Sequence, residues 1–70
     1  MILFDQYPTL RQVIVNTNTD RAFRGVLWRK GWGYLVLRNV EMLKAKGETV
    51  PVDGEVMIES SNVDFVQVVT

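Results

Sequence analysis

The fold is decided by the stretch WGYLVLRNVEML (residues 32–43), which is rich in β-forming residues and long for one strand. Strands in globular proteins usually have about 5 or 6 residues, so this run has roughly twice the ordinary length. A strand of that length can pair with different neighbours at its two ends if it bends in the middle. We therefore predict a bend within this stretch and a small sheet that curls around it.

Alternating apolar and polar residues predict four more strands around this one. Gly25 lies inside the second of them, and a glycine within a strand usually marks a sharp bend or a close approach of two backbones. Pro51 has no backbone N–H, so we expect it at a sheet edge or at the start of a strand. The four predicted strands cover residues 12–17, 21–29, 54–60 and 63–69.

The predicted fold class is therefore all-β, a small five-stranded, strongly bent antiparallel barrel of the SH3, Sm or OB kind. Four turns join the strands, at residues 18–20, 30–31, 44–49 and 60–62. A short helical turn at residues 7–12 is the one helical signal, because Pro8 suits a first helical position. The length of 70 residues predicts one domain, residues 1–70.

The composition excludes several classes of protein. The sequence has no Cys and no His, which removes disulfides, thiolate metal sites and the commonest general base. Carboxylates on alternate residues of a strand, such as Asp53 and Glu55, are typical of a solvated face. We therefore expect no catalytic residues, no metal and no cofactor. Because no apolar run approaches the length of a membrane span, we expect a soluble, cytoplasmic protein without a membrane partner.

Charge is distributed unevenly although the formal net charge is zero. Residues 21–46 contain seven bases and one acid, whereas residues 47–70 contain five acids and no base. This asymmetry suits subunits that meet head to tail, or a particle with one basic face. Solvated strand faces that sort this way by chance remain the alternative.

The last predicted strand has apolar residues on both faces, so the interior of one barrel cannot cover all of them. Such a strand at an exposed edge pairs readily with another chain. We therefore predict a homo-oligomeric ring closed by pairing between the last two strands of neighbouring subunits. The predicted subunit interface consists of Met57, Val63, Phe65, Val66 and Val68.

A nucleic-acid site is predicted at the turn that leads into the long strand. Trp32 has a glycine on each side and offers an aromatic face on which a base could stack. Arg29 and Lys30 could hold phosphates, and Tyr34 lies one alternation step from Trp32. The expected ligand is single-stranded RNA, possibly DNA. The alternative is that Trp32 packs over the barrel mouth or against a neighbouring subunit.

The order of these residues resembles the Sm/LSm (Hfq-related) family. Its first motif is matched by Val13 and Val15, by RAFRGVL (residues 21–27), and by YLVL (residues 34–37) followed by Asn39. Its second motif has the spacing of GEVMIESSNV (residues 54–63). The resemblance covers residues 12–68.

This resemblance implies a non-enzymatic ring that binds RNA around a central pore and acts in RNA processing or scaffolding. Trp32 then takes the base-stacking position and Tyr34 the base-reading position, while Ser61 and Asn62 face the same pore. The family's Asp and its Arg-Gly pair are missing here, with Glu59 and Ser60 at the latter positions. The alternative function is a ring used only for protein assembly.

Overall fold

The computed structural model describes residues 9–69 of the chain. This part consists of six strands joined by turns and by two short 3-10 segments. The strands are β1 (Gln12–Thr17), β2 (Ala22–Gly31), β3 (Tyr34–Leu43), β4 (Thr49–Val52), β5 (Val56–Glu59) and β6 (Val63–Val68). The 3-10 segments are Ala45–Gly47 and Ser60–Asn62, and we call the second one the connector.

All strand pairs are antiparallel, and the sheet runs in the order β4-β3-β2-β1-β6. β5 also pairs with β3, off this path. The prediction of an all-β, strongly bent antiparallel fold is confirmed. The sheet has six strands where five were predicted, and it does not close into a complete barrel.

The bend in β3 explains how one strand serves two parts of the sheet. Its first half pairs with β5 from Tyr34 to Leu37, and its second half pairs with β4 from Val40 to Leu43. Between the halves, Asn39 takes a positive φ of 53°, a conformation that Asn tolerates better than most residues. The predicted bend of the long strand is therefore present.

Gly25 provides the matching close approach on β2. A Cβ atom at this position would lie 2.9 Å from the carbonyl oxygen of Arg38 and 3.1 Å from a methyl carbon of Val40. The register between β2 and β3 also shifts around this residue. Because Gly25 has no side chain, the backbone of β3 can approach that of β2 closely at the bend, as the sequence indicated.

The core lies on the concave face of the curled sheet. Val13 and Val15 of β1, Leu27 of β2, and Leu35 and Leu37 of β3 are completely buried. Alternation places these residues on one face of their strands, so the pattern that predicted the strands also builds the core. Val40, Ile58 and Val63 complete the buried cluster, and Phe23, Val52, Val56 and Val66 pack against it.

Three sequence predictions need correction. The hairpin between β2 and β3 turns at Trp32 and Gly33, two residues later than predicted, since Gly33 supplies the positive φ of 86°. The predicted loop at residues 44–49 is shorter than expected because Thr49 begins β4, an edge strand that contains Pro51. The predicted helical turn is absent from residues 9–12, which form a turn and the start of β1; Tyr7 and Pro8 lie outside the described residues.

Within residues 9–69, no helix has the length and apolar character needed to cross a membrane.

Candidate functional site

The β6 strand forms one outer edge of the sheet and leaves apolar side chains exposed on both of its faces. Phe65 is 50% exposed and Val68 is 38% exposed. Phe65 pairs with Asn16 of β1, whereas Val68 pairs with the buried Val13, so the two side chains belong to opposite faces. We call the free side of this strand the β6 edge.

Among the strands of residues 9–69, only β1 pairs with β6, so the backbone groups on the other side of β6 have no partner strand in this part of the chain. The N–H of Val69 donates to the carbonyl oxygen of Gln12 at 2.9 Å, so residue 69 points its backbone groups toward β1. Because these directions alternate along an antiparallel strand, the N–H and C=O of Val66 and Val68 point away from β1. The β6 edge therefore offers hydrogen-bonding groups and apolar side chains to another strand.

A second edge, which no other strand of residues 9–69 covers, borders a groove of about 400 Å³ beside β5. The N–H of Ser60 donates to the carbonyl oxygen of Gly33 at 2.8 Å, so by alternation Met57 and Glu59 direct their backbone groups away from β3. Met57 is 67% exposed. The groove is lined by Thr17, Thr19, Arg21 and Phe23 on one side and by Val56, Met57, Ile58, Glu59 and Asn62 on the other.

The connector fixes the end of β5 relative to the rest of the sheet. The backbone N–H of Asn18 donates to the Asn62 carbonyl at 3.0 Å, and its side-chain amide donates to the Ser61 carbonyl at 3.1 Å. Ser61 and Asn62, predicted to face nucleic acid, are exposed and accept these bonds through their backbones. The connector is thus held from two sides, by Asn18 and by Gly33.

The β2–β3 turn brings together part of the predicted aromatic and basic cluster. Trp32 is 92% exposed, and Tyr34 lies across the hairpin on Gly31, where any Cβ atom would collide with its ring. Arg29 is exposed and lies on the same face of β2 as Gly31. Lys30 falls on the opposite face by alternation and is half-buried.

The predicted subunit-interface residues do not share one environment. Met57 and Phe65 are well exposed, and Val68 is exposed to a smaller extent. Val66 is half-buried against the core, and Val63 belongs to the core with 7% exposure. Val63 is buried because it is the first residue of β6, directly after the connector, where the chain turns back onto the sheet.

Sequence reasoning missed a cluster on the outer face that joins three separate segments. The guanidinium of Arg38 lies 3.9 Å from the ring centre of Trp28, and its Nε donates to Glu55 at 2.6 Å. All three side chains are partly exposed. Arg38 and Glu55 meet because they lie one step beyond Leu37 and Val56 in the pairing of β3 with β5, so spacing along the chain carried no signal of this contact.

Among residues 9–69, no group of three or more acidic side chains is placed to hold a metal ion. The ion pair of Arg38 with Glu55 lies on the outer face, away from the groove. The described part of the chain thus presents sheet edges, a groove and an exposed indole.

No protein-family model matches the sequence, and no curated protein matches it. The chain is similar in structure to a chain from the crystal structure of the NatC complex bound to CoA, with a TM-score of 0.77. The two are 19% identical in sequence, and the similarity covers 96% of this chain and 84% of that one. At this identity the likeness shows a shared fold.

These findings overturn the assignment to the Sm/LSm family and the RNA-binding ring inferred from it. The motif matches lay mainly at apolar positions that build the strands, and such positions specify packing more than function. Binding of RNA or DNA, and association of the chain with copies of itself, are properties that a single chain does not test, so they stay predictions.

Proposed function

We propose that this chain is a non-catalytic protein-binding subunit, which joins a larger cytoplasmic assembly through the β6 edge. One observation carries the proposal. At Val66 and Val68 the β6 edge presents backbone groups that no strand of residues 9–69 pairs with, and the apolar side chains of Phe65 and Val68 stand exposed beside them. An extended segment of a partner could add to the sheet there, gaining main-chain hydrogen bonds and apolar contact together.

Size and the comparison with known structures support this proposal. A domain of 70 residues buries a modest share of its surface, so contact with a partner adds stability that the chain alone has in short supply. The solved chain with the similar fold belongs to a complex of several proteins. For the present chain, that likeness favours an assembly role over an isolated one.

The test uses two substitutions at positions of nearly equal exposure. Val68 on β6 is 38% exposed and Val50 on β4 is 37% exposed, so a charge at either site should affect folding similarly. The tagged full chain is purified from its native host, the stoichiometric partner is identified by mass spectrometry, and the complex is rebuilt from the two purified proteins. Dissociation constants are then measured for the wild type, Val68→Asp and Val50→Asp.

We expect Val68→Asp to weaken partner binding by about 30-fold or more, which corresponds to a contact of about 2 kcal/mol, and Val50→Asp to leave it nearly unchanged. Equal effects of the two substitutions would remove the β6 edge as the binding site. Sedimentation of the chain alone shows whether the partner is a second copy. A chain that binds no protein at all would contradict the proposed function.

A further inference from the structure

Trp32 is the most exposed large apolar side chain in residues 9–69, and it stands at the tip of a rigid hairpin. The turn is short, with Gly31 and Tyr34 paired on either side of Trp32 and Gly33. Gly33 takes the positive φ that such a turn requires, and the Tyr34 ring occupies the space above Gly31. The indole is therefore presented by a backbone that is already ordered.

Register places further side chains in two rows on the strands that lead into and out of this turn. Arg29, Val36 and Met57 form one row across β2, β3 and β5, and Gly31, Tyr34 and Glu59 form the next. Alternation puts both rows on the same side of the sheet, and Val36 within them is buried. We call this surface the tip face; it consists of Arg29, Trp32, Tyr34, Met57 and Glu59.

The tip face and the β6 edge are held in a fixed relation. Gly33, next to Trp32, accepts the hydrogen bond from Ser60, and the connector that begins at Ser60 leads directly into β6. Asn18 bonds the same connector from the other side. A partner that adds a strand at the β6 edge therefore meets a tip face that the connector holds in a fixed position relative to the start of β6.

We infer that the tip face is a second contact with the same protein partner, in which Trp32 inserts into an apolar pocket. This inference rests on the proposed function. Tryptophan dominates the energetics of many protein interfaces, and an anchor that is rigid before binding loses little conformational entropy. Met57 adds an adaptable apolar contact on the same tip face.

The charged side chains of the tip face indicate which charged groups the partner's pocket should carry. Arg29 and Glu59 have no ion-pair partner within residues 9–69, and they lie on different strands of the tip face, with β3 between them. The partner pocket should therefore carry a carboxylate opposite Arg29 and a cationic side chain opposite Glu59. A lipid surface with anionic headgroups would attract Arg29 but repel Glu59, so a protein fits this face better.

The test follows the indole of Trp32 in the rebuilt complex of the full chain and its partner. Trp28→Phe leaves Trp32 as the single tryptophan and keeps an aromatic ring under Arg38. In this background we expect partner binding to shift Trp32 emission to shorter wavelength and to reduce its quenching by iodide several-fold. Trp32→Ala, made in the wild-type chain, should weaken binding by about 30-fold.

The controls separate this inference from the proposed function. Trp28→Phe alone should bind with wild-type affinity. If Val68→Asp weakens binding but Trp32→Ala does not, the tip-face inference is wrong while the proposed function stands. If no protein partner binds, both are wrong. An emission shift with vesicles of phosphatidylcholine and phosphatidylserine in the absence of the partner would show a lipid contact and overturn the protein assignment.

Discussion

The β4 and β6 strands end the same sheet, yet β4 alone carries features that hinder pairing with another strand. On β4, the N–H of Lys44 donates to the Glu48 carbonyl at 2.7 Å, so by alternation Thr49 and Pro51 direct their backbones away from β3. Pro51 thus lacks a donor where an incoming strand would need one. β6 has no proline and no lysine, and Asp64 is its one charged residue.

The contrast teaches that exposed apolar area alone does not identify a docking edge. Val50 and Val68 are almost equally exposed, on β4 and β6 respectively. What differs is the backbone beside them, which is blocked by Pro51 on one edge and open on the other. Natural sheets protect edges that must stay single, so an edge without such protection within residues 9–69 fits the proposed docking of a partner.

The largest effect should come from Leu37→Ala, which leaves a cavity in the core on which the whole sheet packs. Leu37 is fully buried at the end of the β3 segment that pairs with β5, just before the bend. Truncating a buried leucine lowers the free energy of unfolding by about 2 to 5 kcal/mol. Urea denaturation measures this, with Val50→Ala as an exposed control that should change stability by about 0.5 kcal/mol or less. Similar losses for both variants would contradict the assigned core.

Gly25→Ala should have the next largest effect, because its Cβ atom would meet the backbone of β3. The neighbouring strand must move, and overpacking of this kind typically lowers stability by about 1 to 3 kcal/mol. Thermal denaturation followed by circular dichroism measures the change. Ala22→Gly provides a contrast on the same strand, where a Cβ is removed instead of added. A Gly25→Ala protein as stable as the wild type would show that β2 and β3 do not approach as closely as described.

Pro51→Val should make the β4 edge able to pair with another strand while changing the fold little. The substitution restores an N–H that points away from β3, so β4 would then resemble β6. We expect more self-association in light scattering at high protein concentration. Val68→Lys should act in the opposite direction, since a lysine on an edge strand discourages pairing. Unchanged scattering of Pro51→Val would mean that proline is not what distinguishes the two edges.

The smallest effect should come from Glu55→Gln, which breaks the ion pair with Arg38 in the segment between β4 and β5. Partly exposed ion pairs contribute between about 0 and 1 kcal/mol, so the loss of stability should stay within that range and shrink in high salt. Urea denaturation at two salt concentrations measures it. A loss above about 2 kcal/mol would show that this pair organises the loop far more than its exposure suggests.

Local signals in the sequence predicted most of the fold. β1 begins and ends where alternation placed it, and the connector occupies the predicted turn at residues 60–62. The bend in the long strand followed from its length, and Gly25 marked the place where two backbones meet. These features depend on residues near in sequence, whose spacing is visible in the chain.

Features that depend on distant residues were missed or misplaced. Gly31 was expected to form the turn, but its missing side chain makes room for Tyr34 across the hairpin, and Gly33 forms the turn instead. Val63 was assigned to an interface by its strand pattern, yet the end of the connector places it in the core. The contact of Trp28 with Arg38 depends on the tertiary fold.

The function inferred from the family resemblance failed for a related reason. Val13, Val15 and the YLVL segment matched that family because they build a curled sheet, and all of these positions except Tyr34 are buried here. A fold can be reused for unrelated functions, so apolar positions do not carry a function with them. The edge that now supports the proposal, with Val66 and Val68 directing backbone groups outward, was visible in the sequence as a strand apolar on both faces.

The most direct test of the account is amide hydrogen exchange on the free chain and on the complex with its purified partner. The account predicts that the amides of Val66 and Val68 exchange fast in the free chain and at least about tenfold more slowly in the complex, while Thr49 on the β4 edge stays unchanged. Unchanged exchange at Val66 and Val68 in a complex that has formed would contradict strand addition at the β6 edge.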